Sequence, residues 1–329
     1  MDASPYAGTR CLVTGGLGFI GSNLVLALCE AGATVTVVDS LVPRHGGDLR
    51  NIEGAPADLV LADVSDRAAV GPALSRADFV FNLAGQISHI DSMEDPLTDL
   101  ELNTRSQLAF LELLRELNHR AVVVYASTRQ VYGRPQYLPV DESHPCVPTD
   151  VNGVCKHATE QLHLLYARVH DMRCCALRLT NVYGPRQRLL GDHQAVIPTF
   201  IRRAFLGEPI ILYGDAAQER DPVFVDDAVD AFLRAGASPD ASGEVFNISH
   251  TESVSLRRLA EVIVDATASG SLESVRWPDH LARIDIGSYR GDSSKAKRVL
   301  GWEPSVSLAE GMARTAEHYR ATLHRYLSP

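Results

Sequence analysis

Residues 14–21 read TGGLGFIG and follow the apolar run Cys11-Leu12-Val13. A strand that ends in closely spaced glycines and runs into a helix is a phosphate cradle. Gly15 suits the tight turn, Gly18 lets backbone approach a pyrophosphate, and Gly21 lets the helix pack closely on the strand. The N–H groups freed at the helix start then face the anion. Leu24, Leu26, Ala27 and Leu28 supply the helix, and the β-branched run Thr34-Val35-Thr36-Val37-Val38 a second strand that ends at Asp39. Asp39 stands eighteen positions after Gly21, about where an acidic residue meets the adenosine ribose hydroxyls. A 2′-phosphate beside that carboxylate would be repelled, so the cradle reads as an NAD site in preference to NADP. Arg44, in the loop that follows, is the one residue that could reverse this by pairing with a phosphate.

Elements able to hold such a site alternate through the first half of the chain. Strands are expected at 59–62, 79–83, 122–125 and 174–179, and helices at 97–117 and 156–169. This alternation predicts an α/β fold, a doubly wound parallel sheet with helices on both faces. After Asn181 it weakens and Pro and Gly punctuate more often, as at Gly184-Pro185 and Asp221-Pro222. Residues 1–180 therefore read as a nucleotide-binding domain and 181–329 mainly as a smaller C-terminal lobe. A helix near 226–234 and a strand near 245–248 are expected to return to the first domain, so the two parts interweave. The helix at 97–117 carries Leu100, Leu102, Leu108, Phe110, Leu111 and Leu114, apolar on more than one face, and Leu162, Leu164, Leu165 and Tyr166 repeat the pattern on the next. A helix apolar beyond a single stripe needs a second partner, and a homodimer built on these two helices would supply it.

Bulk properties narrow the partners. The 329-residue chain has a net charge of −10 and no basic run, which argues against a nucleic-acid surface and for a small-molecule partner. Six cysteines form no C-x-x-C pair and have no ligand spacing with histidine, so no metal is expected and they read as reduced thiols. The start MDASPYAGTR lacks a charged-then-apolar leader, and no apolar run approaches the roughly 20 residues of a membrane span. A soluble cytoplasmic protein, with no membrane partner, is the expectation.

Taken together the motifs resemble the extended short-chain dehydrogenase/reductase family, in its branch of NAD-dependent epimerases and dehydratases acting on nucleotide sugars. TGGLGFIG, with Phe19 and Ile20, resembles that family's cofactor loop. Asp63-Val64 matches its adenine contact, and Asn82-Leu83-Ala84-Gly85-Gln86 the loop over the pyrophosphate and nicotinamide ribose. Tyr125-Ala126-Ser127-Thr128 followed by Val131-Tyr132-Gly133 matches the fifth strand, whose catalytic hydroxyl falls by register on Thr128. The string from Arg178 to Arg186 matches a signature whose asparagine, here Asn181, contacts the sugar-nucleotide diphosphate. Arg220 falls in the matching second-lobe string and would share that diphosphate, with Tyr213 near the base. The resemblance implies a Rossmann-type fold with an interwoven substrate lobe, bound NAD and a nucleotide-sugar substrate.

One position departs from the family pattern. Tyr-x-x-x-Lys becomes Asn152-Gly153-Val154-Cys155-Lys156. In the family the lysine lowers the tyrosine pKa and the phenolate removes a hydroxyl proton. A carboxamide does not titrate in the working range, so Asn152 can orient a hydroxyl or water but cannot be the base. Lys156 can still bind the nicotinamide ribose. Two residues remain as acid/base candidates: His89, in the loop that borders the sugar, and Lys156 with a lowered pKa. Thr128 reads as a hydrogen-bond partner, and Tyr132 in this family packs beyond the strand.

Family dehydratases carry Asp-Glu after the threonine, where this chain has Arg129-Gln130, and neither exchanges a proton near neutral pH. That argues against a 4,6-dehydratase. An NDP-sugar epimerase, most simply acting at C4 of a hexose, is the leading expectation. An NDP-sugar oxidoreductase, a decarboxylase or an epimerase at another carbon is the alternative among enzymes. A catalytically silent NAD(H)-binding sensor or partner subunit is the alternative from another class.

Overall fold

Runs such as Cys11-Leu12-Val13 and Val122-Val123-Val124 are apolar without alternation, as suits strands covered by helices on both faces. In the computed structural model, which describes residues 4–43, 47–189, 195–277 and 286–327, they build a seven-stranded parallel sheet. Its strands are β1 (Arg10–Thr14), β2 (Thr34–Asp39), β3 (Ala57–Leu61), β4 (Phe79–Asn82), β5 (Val122–Thr128), β6 (Arg173–Leu179) and the late strand Val245–Ile248. Their order across the sheet is β3-β2-β1-β4-β5-β6, with Val245–Ile248 paired in parallel beyond β6. Val13, Phe81 and Val124 enter the core on one face, and Leu12, Val80 and Val123 the core on the other. The order reverses between β1 and β4, and a crevice outside the carboxyl ends of such strands is where α/β sheets bind ligands.

Helix α1 (Phe19–Glu30) leaves β1 through the glycine turn, and α2 (Arg67–Leu74) crosses from β3 to β4. The segment before the long helix, read from sequence as loop, contains a short helix α3 (His89–Glu94) capped by the Ser88 hydroxyl, which accepts from Asp91 N at 3.1 Å. The expected helix at 97–117 is not one regular element. It begins as α4 (Pro96–Leu100), widens through a π-turn at Glu101–Arg105, and continues as α5 (Ser106–Asn118). A π-turn inserts an extra residue and so re-aims the helix face, a common device at functional sites. Here it brings Asn103 inward, where its side chain bonds both the N–H (3.1 Å) and the C=O (3.0 Å) of Gln86.

Helix α6 (Val151–His170) starts five residues earlier than the sequence expectation. Asn152 and Gly153 are weak helix formers, but Asp150 caps the end by accepting from Gly153 N at 2.7 Å, which offsets their poor propensity. Asn152 and Lys156 therefore lie one turn apart on the same helix. On the outer side of α4 to α6, Leu97, Leu100, Leu165 and Val169 are exposed, whereas Leu164 and Tyr166 are buried. Strand β3 runs over 57–61 instead of 59–62, and as the sheet edge it leaves Leu59 and Leu61 exposed.

Beyond β6 the chain forms helices Val196–Phe205, Val225–Ala237, Leu256–Thr267, Ser294–Leu300 and Leu308–Tyr326, with short strand pairs between them: Val182–Tyr183 with Val223–Phe224, Pro209–Tyr213 with Ser271–Val275, and Glu219–Arg220 with Val254–Ser255. None of the six cysteines is in a disulfide. Among the described residues no helix is long and apolar enough to cross a membrane.

Candidate functional site

The glycine turn is shaped by contacts that tolerate no side chain. Gly15 sits at φ +67°, and a Cβ there would lie 2.8 Å from the backbone of Leu83 and Ala84. A Cβ on Gly21 would lie 2.2 Å from the Gly15 carbonyl oxygen, so α1 can approach β1 only with glycine at that position. Gly18 is the cap residue of α1 and has no side chain to satisfy the first-turn N–H groups. Those groups have no partners inside the helix and are available to an anion. Phe19 and Ile20 contribute through this backbone, since their side chains pack on the core. The crevice in front is lined by Gly15, Gly18, Asp39, Asp63, Val64, Leu83, Ala84 and Gly85.

Asp39 closes the end of β2. Its Oδ2 accepts from Leu17 N at 3.1 Å and its Oδ1 from Leu41 N at 2.9 Å, so it also ties the glycine loop to the sheet. Burial raises its pKa, and the two backbone donors oppose that rise. Arg44 lies outside the described residues.

Beneath the crevice floor is a polar network that sequence reasoning missed. Thr14 Oγ1 donates to Asn82 Oδ1 (2.7 Å), and Asn82 Nδ2 donates to Gln107 Oε1 (2.7 Å) and to His163 Nε2 (3.2 Å). Gln107 Nε2 donates to the Ala84 carbonyl at 2.9 Å, and Ala84 N donates back to Thr14 Oγ1 at 3.2 Å. His163 Nδ1 faces the Thr159 carbonyl at 2.8 Å, which makes Nδ1 the protonated nitrogen and Nε2 the acceptor. Burial lowers the His163 pKa to about 4, consistent with that neutral tautomer. Each buried amide thus has its partners, and Leu83, Ala84 and Gly85 are held in one conformation. Ser106 and Gln107 also line the crevice, and in the sequence they are only polar residues on an apolar helix.

Lys156 is buried with its Nζ 2.8 Å from the Ala126 carbonyl oxygen and 4.7 Å from the centre of the Tyr125 ring. A Cβ on Gly85 would be 3.7 Å from Nζ, so the ammonium stands against the crevice loop. Burial lowers its pKa to about 8, with Asp99 and Glu160 opposing the shift. Asn152 is turned inward. Its Nδ2 donates to the Gln86 carbonyl (2.9 Å), to Gln86 Oε1 (3.1 Å) and to Oδ2 of the buried Asp99 (3.0 Å). The amide is therefore locked to α4 and the Gln86 loop. Thr128 Oγ1 accepts from Gln130 N at 3.2 Å as the cap of a short 3-10 turn, leaving its own proton to donate.

His89, the first residue of α3, meets the capped end of α6. Its Nδ1 is paired with Asp150 Oδ2, and its Nε2 is 2.6 Å from Gln130 Nε2. With Nδ1–H directed at the carboxylate, Nε2 carries the lone pair and accepts from the Gln130 amide. Burial alone would raise the Asp150 pKa, but His89 and the Gly153 N–H hold it below the ordinary carboxylate range. Asp150 had no signal in the sequence beyond its helix-capping position.

Tyr132 makes other contacts. It is fully buried, its hydroxyl donates to Asn247 Oδ1 at 2.6 Å, and it accepts from Arg178 Nη1 at 2.7 Å. Asn181 is half-buried, and its Nδ2 is a buried donor with no partner among the described residues, as a ligand acceptor would require. Arg220 Nη1 donates to the carbonyls of Glu219 and Gly287, each at 2.7 Å. Tyr213 packs its ring against Trp277 at 5.2 Å. Among the described residues no group of three or more His, Cys, Asp or Glu is placed to hold a metal ion.

Comparison with known proteins adds independent findings. Residues 11–249 match the model of the NAD dependent epimerase/dehydratase family. The chain is 36% identical over 313 residues to a UDP-glucose 4-epimerase of Mycolicibacterium smegmatis, covering 94% of this chain and 98% of that protein. It is 30% identical over 324 residues to a UDP-N-acetyl-alpha-D-glucosaminuronate decarboxylase of Bacillus cytotoxicus, covering 94% of this chain and 98% of that one. Its fold is similar to the solved structure of the Bordetella bronchiseptica enzyme WbmF in complex with NAD+, with a TM-score of 0.82 and 29% identity over 98% of this chain and 96% of that chain.

Proposed function

The chain belongs to the NAD-dependent epimerase/dehydratase family of the extended short-chain dehydrogenase/reductases, and we propose that within it the protein is an NDP-sugar epimerase, most simply a 4-epimerase. Its cofactor is NAD, which when bound would supply reversible hydride transfer with the sugar carbon. The crevice fits that cofactor, since Gly18 at the start of α1 puts no side chain in the way of a pyrophosphate and Asp39 stands where ribose hydroxyls would reach it. Asp63 and Val64 would face the adenine, Leu83 to Gly85 the pyrophosphate and nicotinamide ribose, and Lys156 that ribose.

The observation that carries the reaction is the His89–Asp150 pair on the cap of α6, the helix that also carries Lys156. In this reading His89 Nε2 takes the proton from the reacting hydroxyl as the carbon is oxidised, and Asp150 orients the ring and offsets its positive charge. Gln130 yields Nε2 to the substrate hydroxyl. Thr128 donates a hydrogen bond to the same oxygen. Asn152 cannot titrate, and its place in the mechanism is to hold the Gln86 loop against α4. The proton then returns from His89 when the keto-sugar is reduced on its other face, so no net oxidant is consumed. Residues 1–180, with return segments near 226–250, serve the cofactor. Residues 181–329 mainly serve the nucleotide sugar, through Asn181 and Arg220 at the diphosphate and Tyr213 near the base.

The test is turnover of a panel of UDP-, dTDP-, GDP- and CDP-hexoses by the purified protein, read both as epimer ratio and as absorbance of the bound cofactor near 340 nm. An epimer formed with transient absorbance supports the reading. No absorbance change with any sugar would leave a silent NAD-binding protein. In the same preparations the protein is expected to retain NAD in preference to NADP, and Asp39→Ala to narrow that gap. Equal retention of NADP by the unmodified protein would remove the role assigned to Asp39.

A homodimer through the outer faces of α4 to α6 belongs to the same proposal, since Leu97 and Val169 there are 75% and 60% exposed. Light scattering should give twice the chain mass, and half of that for Leu97→Glu combined with Leu165→Glu. The unpaired thiols are in keeping with a reducing compartment, and we assign the protein to the cytoplasm.

A further inference from the structure

Arg129 follows Thr128 at the C-terminal end of β5, as the first residue of the 3-10 turn Arg129–Tyr132. Its guanidinium carbon lies 5.0 Å from the centre of the Tyr289 ring, which is buried. The segment bearing Tyr289 also supplies Gly291 N, which donates to Oδ2 of the buried Asp221 at 2.9 Å. Arg129 is close enough to both Asp221 and Asp150 to stabilise their charged forms. It therefore stands between the His89–Asp150 pair on one side and the Asp221–Tyr289 wall on the other.

Both carboxylates already have donors. Asp150 is engaged by His89 and by Gly153 N, and Asp221 by the Thr180 hydroxyl and Gly291 N. Neither carboxylate comes within 4.0 Å of the guanidinium, and among the described residues Arg129 has no hydrogen bond and no ion pair. A half-buried guanidinium held by stacking alone keeps a full charge and five N–H donors to satisfy. The group that matches a rigid donor fork of this kind is a planar anion able to accept two parallel bonds.

We propose that Arg129 receives the carboxylate of the sugar, and that the substrate class is a nucleoside-diphosphate uronic acid. The proposal rests on the nucleotide-sugar reading and names its sugar. Arg129 follows Thr128 directly and stacks on Tyr289, so the anion it meets is carried by the reacting ring, whereas Asn181 and Arg220 serve the diphosphate. A neutral hydroxymethyl group at the same point would leave the guanidinium with partial solvation and no counter-charge.

The experiment is calorimetric titration of the NAD-loaded protein with UDP, UDP-glucose and UDP-glucuronate. The unmodified protein should bind the uronate at least about tenfold more tightly than the glucose compound, as one charged bidentate contact implies. Arg129→Gln and Arg129→Ala should each abolish that preference, with the affinity for UDP changed by less than about threefold. Arg129→Lys, which keeps the charge and loses the fork, should retain only part of it. Equal binding of the two sugars by the unmodified protein overturns the proposal alone. A parallel loss of UDP affinity in the Arg129 variants also overturns it, by making Arg129 a diphosphate contact. Failure of all three ligands to bind overturns it together with the nucleotide-sugar reading beneath it.

Discussion

His89→Ala is expected to slow turnover by about 10²–10⁴-fold, the usual worth of a positioned general base, while NAD remains bound. The expectation follows from the position of the imidazole. Nδ1 is held by a carboxylate that also caps α6, so the ring orientation is tied to the helix that presents Lys156 to the crevice loop. The histidine side chain is itself 48% exposed, and its hydrogen-bond partners are Asp150 and Gln130, not residues of the glycine turn, which is why its loss should spare the cofactor. Asp150→Asn should give a smaller kinetic defect with the same cofactor retention, because the ring keeps a hydrogen-bond acceptor and loses its counter-charge. Lys156→Ala should damage turnover and cofactor retention together, since Nζ stands against Gly85. Single-turnover reduction of bound cofactor separates these cases. A defect of only a few-fold for His89→Ala would reduce the residue to a binding contact and make Lys156 the base. Asn152→Tyr is the complementary variant: its phenol would displace the amide from Asp99 and Gln86, and a large gain in epimerisation would mean that the native relay is impaired.

Glu160→Gln is expected to cost about 3–5 kcal/mol of folding stability, the typical result of removing one partner of a buried ion pair. Glu160 is fully buried, and its oxygens accept from Arg178 Nε at 2.9 Å, Arg178 Nη2 at 2.6 Å and Ser127 Oγ at 2.6 Å. Arg178 continues to the Tyr132 hydroxyl and so to Asn247, which joins α6, β5, β6 and the strand Val245–Ile248 through one charged centre. The glutamine leaves the guanidinium buried without a counter-charge. Glu160→Leu combined with Arg178→Met should be less destabilised than Glu160→Gln, because no charge remains to be solvated.

The pH dependence has a definite sign. Burial pushes the Glu160 pKa up, but Arg178, His157 and Ser127 outweigh it and hold the group at about 2. A folded-state pKa below the unfolded value near 4.5 contributes stability that is complete above about pH 4.5 and is lost as pH falls toward 2. Urea denaturation across that window should show a shallower acid loss in Glu160→Gln than in the unmodified protein. A cost under about 1 kcal/mol, with unchanged acid slope, would remove the ion pair from any structural role.

Much of the cofactor half was legible in the residues because its determinants are local. Gly15, Gly18, Gly21 and Asp39 belong to one strand-helix-strand unit, where backbone sterics and the periods of helix and strand dictate geometry over a few tens of residues. The alternation of apolar runs likewise determined the parallel sheet, and the resemblance of ordered motifs determined the family. Asn152, Arg129-Gln130 and the candidate His89 could also be picked out from the sequence, since they are matters of residue type. Which groups stand beside them was not legible. His89 and Asp150 are 61 positions apart, Asn152 and Asp99 are 53 apart, and Arg129 stacks on Tyr289, which lies far along the chain. Such pairs form only when strand order, the start of α6 at Val151 and the π-turn at Glu101–Arg105 set distances and side-chain directions. An extra residue in a helical turn re-aims every side chain beyond it by a large part of a revolution, and no local propensity encodes which buried carboxylate that side chain will then meet. Composition and spacing therefore determined which groups this protein has for chemistry, and the tertiary structure alone decided which of them stand within hydrogen-bonding reach of one another.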